Sequence, residues 1–175
     1  MRILAYVLMP NHWHLVLYPR KDGDLQTFMQ WLTLTHTQQY HVKTKTIGYG
    51  HLYQGRYKAF LVQKDTYLLQ LIRYVERNPL RAKLVKKAEQ WQWGSAYRRY
   101  LGTVKERKLL TEPPLDLPRD YRSWLSEKED TEGLQAIRLS VNKGKPYGTI
   151  AWVERMVEKF NLELTTRGVG RPKKH

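Results

Sequence analysis

Residues 4–18 read LAYVLMPNHWHLVLY, and the fold follows from how this stretch divides. Leu4 to Met9 and Trp13 to Tyr18 are two β-rich apolar runs, and the turn pair Pro10-Asn11 stands between them, so together they predict a β-hairpin. Both runs are apolar on both faces, which predicts a sheet covered on both sides. His12 and His14 occupy positions i and i+2, so both rings leave one sheet face with Cα atoms about 6.6 Å apart. Two imidazoles at that spacing can chelate one divalent cation, while Trp13 between them turns to the opposite face and joins the core.

Downstream, Asp24 offers an N-cap for a helix running to about His41, with Leu25, Phe28, Met29, Leu32 and Leu34 or His36 near helical spacing. A glycine-bearing loop over 47–55 leads to an expected short strand at 57–63. Asp65 then caps a second helix in which Leu68, Leu71, Ile72 and Val75 fall at i, i+3, i+4 and i+7, until Pro79 ends it. Short helices are expected near 79–85 and 95–101. TEPPLDLP, residues 111–118, is a linker by composition, and helices are expected near 120–129, 132–141 and 149–160. The chain thus divides into 1–110, the linker 111–118, and a helical basic extension 119–175 that ends in a tail without apolar periodicity.

The 175 residues carry 31 Lys+Arg against 16 Asp+Glu, a net charge of +15. The hydrophobic content of 41% is enough for a core, and the charge implies a polyanionic partner, of which nucleic acid is the commonest. With no cysteine, disulfides, thiolate zinc sites and a cysteine nucleophile are excluded. No apolar run approaches a membrane span and the opening residues lack the pattern of a secretion signal, so a cytoplasmic protein without membrane contact is expected. Residues 61–110 hold 12 basic and 4 acidic side chains, the most basic third of the chain. Arg73, Arg77, Arg81, Arg98 and Arg99 alternate there with Tyr74, Trp91, Trp93, Tyr97 and Tyr100, a mixture suited to phosphates and splayed bases.

Tyr74 and Asn78 lie one turn apart on the flank of the second helix's apolar stripe, where they can share a cleft. A phenol there can attack a phosphodiester, and the Asn carbonyl can join two imidazoles on a cation. Each residue also has a plainer role: tyrosines beside a core stripe pack, and Asn before Pro is an ordinary N-cap with Pro at the first helical position.

MPNHWHLVL (9–17), GRYKAFLV (55–62) and YVERNPLRAKLV (74–85), in that order, resemble the successive signatures of the REP-associated tyrosine transposases, single-tyrosine HUH nucleases related to the insertion-sequence-200-like transposases. LSVNKGKPYG (139–148) through GRPKK (170–174) resembles that family's carboxy-terminal extension. The resemblance implies an α+β, ferredoxin-like core with an antiparallel sheet and packed helices. It makes Tyr74 the nucleophile and His12, His14 and Asn78 the ligands of Mg²⁺ or Mn²⁺. Imidazole favours softer metals than Mg²⁺, which makes Mn²⁺ the compromise.

The implied reaction is cleavage and rejoining of single-stranded DNA beside a palindromic hairpin through a 5′-phosphotyrosine, with Arg73, Arg77 and the metal favouring the phenolate. Arg56, Tyr57, Lys58, Arg73, Arg77, Arg81, Trp91, Trp93 and Arg98 are the expected DNA contacts, joined by Arg171 and Lys173 in the tail. The family normally places another strand and helix before this hairpin, and in the implied sheet that strand is interior, so something must pair the groups it leaves free. A late start, a truncated gene, or strand pairing by a partner chain in a homodimer are the three accounts. A non-catalytic DNA- or RNA-binding protein is the rival expectation, and a hydrolase that uses water in place of tyrosine is a third.

Overall fold

A computed structural model describes residues 1–167, so Arg171 and Lys173 lie outside the described residues. The chain is α+β, and its sheet is the expected hairpin: β1 (Arg2–Leu8) pairs antiparallel with β2 (Trp13–Tyr18) from Arg2 against Tyr18 to Leu8 against Trp13, with an irregularity between Ile3 and Ala5. Met9 N–H donates to His12 O at 2.8 Å and closes the turn. Leu4 to Val7 are buried, whereas in β2 only Val16 is, which corrects the expectation of a sheet covered throughout. Trp13, expected in the core, is half-buried and meets the Tyr53 ring edge-on at 6.3 Å.

Among the described residues no strand runs along the outer edge of β1, yet several of its backbone groups find partners. Leu8 N–H donates to Trp93 O at 2.9 Å, Tyr6 N–H to Ser95 Oγ at 3.0 Å, and Thr111 N–H to Ile3 O at 2.8 Å. Arg99 donates to Leu4 O, and Trp91 Nε1 to Leu8 O at 2.9 Å. Residues 91–111 therefore supply, from loop backbone and side chains, what a strand would otherwise provide. Thr111, at the head of the linker, is part of that cover.

Among the described helices are α1 (Asp24–Thr44), α2 (Thr66–Glu76), α3 (Asn78–Arg81), α4 (Ser95–Tyr100), α5 (Val104–Arg107), α6 (Tyr121–Ser126), α7 (Thr131–Lys143) and α8 (Ile150–Phe160). Asp65 caps α2 as expected, accepting from Tyr67 N–H at 2.9 Å. Asp24 is the first residue of α1 rather than its cap. Its carboxylate accepts from the backbone of Arg20 and Lys21, and Gly23, with φ of 82°, makes the entry turn. The strand expected at 57–63 does not form; Val62 makes a single parallel bridge to Tyr147, because the chain offers Leu61 to Gln63 no longer partner. Tyr121, Leu125, Ile137 and Tyr147 share one apolar core with β1 and α2, so the helical extension packs on the hairpin's own interior.

Candidate active site

β2 and α2 bring His14 and Tyr74 together, with His12 beside His14. The His12 and His14 rings stand edge to face with centroids 5.2 Å apart, and the Tyr74 ring meets His14 at 6.2 Å. His12 sits in the turn just before β2 rather than inside it, and Asn11 orients its ring: Nδ1 donates to Asn11 Oδ1 at 2.7 Å, leaving Nε2 with the free lone pair. The Asn11 contact was not legible in the sequence, where Asn11 read only as a turn residue.

His14 is held neutral, its pKa brought down to about 4, first by burial and then by the charges on His12 and Arg81. A neutral imidazole is the form that binds a cation. Asn78, one turn beyond Tyr74, opens α3 while Arg77 takes the capping position, so the N-cap role considered for Asn78 is not its role. Its side-chain amide nitrogen is buried with no hydrogen-bond partner among the described residues. The two imidazoles are the donor pair that could hold one divalent cation; the unpartnered Asn78 atom is an N–H donor, so Asn78 could join them only through its amide oxygen. No group of three His, Cys, Asp or Glu side chains forms a metal cluster among the described residues.

The arginines serve a different purpose from the one expected. Arg73 donates to Trp124 O and Glu127 O at 2.9 and 2.8 Å and lies over the Trp124 ring. Arg77 donates to Leu125 O and ion-pairs with Glu129 at 3.3 Å. Both are buried and turned to the 124–129 backbone, which corrects their assignment as DNA contacts and phenolate partners. The cation over the Tyr74 ring is Arg81, 4.1 Å from its centroid. Its Nη1 binds both Glu129 oxygens at 2.7 and 2.9 Å, and its Nη2 donates to Tyr74 O. Glu129 was missed in the sequence, although Arg81 follows Tyr74 by two helical turns and so shares its face.

Arg98 is spent on Glu106, at 3.2 Å, and on the Tyr6 hydroxyl. Trp91 is half-buried with its indole N–H on Leu8 O. Of the expected DNA contacts, Arg56, Tyr57, Lys58 and Trp93 are exposed, with the Lys58 ammonium 3.4 Å from Asn142 O.

Below the site, Glu76 is fully buried on α2. Ser95 Oγ donates to it at 2.5 Å, Tyr121 Oη at 2.8 Å, and Arg99 Nε at 3.1 Å. This carboxylate fastens the helix that bears Tyr74 to the cover of β1 and to α6.

Residues 1–78 match the family model described as transposase IS200-like. The match ends at Asn78, so it takes in both histidines and Tyr74 while spanning less than half of the chain. It supports the family for this segment. No curated protein and no solved structure matches the chain. Among the described residues, no helix is long and apolar enough to cross a membrane.

Proposed function

Starting from a segment similar to IS200-like transposases, we propose that the chain cleaves and rejoins single-stranded DNA with Tyr74 as the covalent nucleophile. The observation that carries this is the meeting of the Tyr74 and His14 rings at 6.2 Å across β2 and α2, from positions sixty residues apart in sequence. The phenolic oxygen forms a bond to phosphorus as the bond from phosphorus to the 3′ oxygen breaks, and the phenol's proton passes through solvent to that leaving oxygen. A 5′-phosphotyrosine and a free 3′-hydroxyl result. The link retains the phosphodiester's free energy, so a second 3′-hydroxyl can displace Tyr74 and rejoin a strand.

His12, His14 and Asn78 would hold the divalent cation, Mg²⁺ or Mn²⁺. When bound, it supplies positive charge to the phosphoryl oxygens. Arg81 fixes the Tyr74 ring against the site, and burial keeps His14 unprotonated. The proposed substrate is a palindromic hairpin with its cleavage site in the adjoining single strand.

The test is a denaturing gel of protein incubated with Mn²⁺ and a labelled single-stranded oligonucleotide carrying a hairpin. A DNA–protein adduct that disappears in Tyr74→Phe supports the proposal. Cleavage that survives Tyr74→Phe indicates attack by water, and tight binding without adduct indicates a non-catalytic nucleic-acid-binding relative.

A further inference from the structure

From Leu25 to Lys64 the chain runs forty residues without one aspartate or glutamate, while Lys43, Lys45, Arg56, Lys58 and Lys64 stand in it with three histidines. Much of this acid-free stretch projects from the core, since Met29 is the one buried residue of the 21-residue α1. At the far end of α1 the backbone turns back on itself. Lys45 N–H caps the helix on His41 O and Val42 O with a φ of 56°, Thr46 N–H donates to His41 O, and Tyr49 N–H to Thr46 O. The returning loop is then pinned beside α1 by a 2.6 Å hydrogen bond between His36 Nδ1 and Tyr53 Oη.

Between helix and loop lies an open groove of about 390 Å³, whose walls include Thr33, Leu34, Thr37, His51 and Tyr53 and carry no acidic group. A row of rings leads to it from the active-site strand: Trp13 to Tyr53 at 6.3 Å, Tyr53 to His36 at 5.8 Å, and His36 to Tyr40 at 6.3 Å. Tyr40 is 43% exposed and Tyr49 is 84% exposed, and neither packs into the core. The arginines of α2 and α3, by contrast, are occupied by carbonyls and Glu129.

We infer that this groove, together with the exposed rings that flank it in the chain, Tyr40 one turn beyond Thr37 and Tyr49 next to Gly50, and not the basic centre at 73–99, receives the bases of single-stranded DNA. They would stack on the exposed rings while Lys43 and Lys45 meet the phosphates. The inference rests on DNA being the substrate, and it extends that proposal by placing the strand on a surface away from Tyr74. Single strands fit because their bases have free faces; a duplex offers none to a groove of this kind. Charge complementarity selects a polyanion over a second copy of this chain, which is itself strongly basic.

The test uses the full chain with EDTA present, so that binding is read without cleavage, by anisotropy of a labelled single-stranded oligonucleotide. The paired variant Tyr40→Ala/Tyr49→Ala changes only exposed side chains and should keep the wild-type melting temperature while losing about tenfold or more in single-strand affinity. Lys43→Gln/Lys45→Gln should lower the slope of affinity against salt by about 1 to 2, whereas Lys86→Gln/Lys87→Gln should leave it nearly unchanged.

Unchanged affinity in the tyrosine pair overturns the inference. So does a salt slope governed by Lys86 and Lys87, or a duplex bound as tightly as the single strand. A wild-type dimer in light scattering that the tyrosine pair dissolves overturns it too, in favour of a self-association surface. If the groove variants behave as expected but no Tyr74 adduct forms, the cleavage proposal fails and the groove stands.

Discussion

The guanidinium of Arg81 lies 4.1 Å from the centroid of the Tyr74 ring, and Glu129 keeps it there by taking Nη1 between both carboxylate oxygens. Residues from α2, α3 and the segment before α7 thus form one stack around the candidate nucleophile. The cation–ring contact limits the ring's motion, and the carboxylate limits the cation's.

Replacing Arg81 tests that stack. Arg81→Met leaves Glu129 paired with Arg77 alone and should cost about 1–3 kcal/mol in urea unfolding. On single-stranded substrate, adduct formation should slow by about tenfold. Arg81→Lys keeps the charge without the planar fork and should restore less than half of either loss.

Glu76 offers a larger effect, because three donors converge on a carboxylate sealed from water. Glu76→Ala leaves Arg99, Tyr121 and Ser95 without their acceptor and should destabilise by about 3–5 kcal/mol. Ser95→Ala should cost about 1–3 kcal/mol and release the Tyr6 amide to faster hydrogen exchange, since Ser95 Oγ accepts from it. Burial and the neighbouring Glu76 push the Tyr121 phenol well above its usual range, so it should stay protonated through an alkaline titration that ionises exposed tyrosines.

Acid should act through His14, whose pKa of about 4 in the fold lies below the ordinary 6.5. Protonation therefore favours the unfolded chain. The stability conferred by keeping this ring neutral is present above pH 6.5 and is lost as pH falls from there toward 4, by on the order of 3 kcal/mol. Denaturation midpoints recorded in EDTA across that range should show the slope in wild type and a flatter curve in His14→Phe.

Metal dependence should be separable from DNA affinity. His12→Ala removes one imidazole from an exposed turn, so cleavage with Mn²⁺ should drop to background while hairpin binding stays within about twofold. Chelation of the wild type should reproduce the same split. A parallel loss of both would point to a structural part for His12 instead.

The hairpin, the two histidines and the α2 stripe were legible because each depends on spacing within a few residues. Placing Tyr74 beside His14 needed the packing of α2 on the sheet, which no local pattern states. The arginines misled for a specific reason: Arg73 and Arg77 donate to carbonyls of Trp124, Leu125 and Glu127, and a backbone acceptor leaves no trace in residue type. The strand expected over 57–63 failed because β-rich composition does not supply a neighbour. The cover over β1 was invisible for the opposite reason, being assembled from single groups scattered between Trp91 and Thr111.

The pocket around Glu76 also has a temporal side. Ser95 follows the carboxylate by 19 residues, Arg99 by 23, and Tyr121 by 45. During synthesis the α2 segment emerges from the ribosome long before its last donor is made, so a nascent chain exposes a charge that its interior cannot yet shelter. Acquisition of the native state must wait for the carboxy-terminal third, and a ribosome stalled ahead of Tyr121 would present a segment vulnerable to proteases.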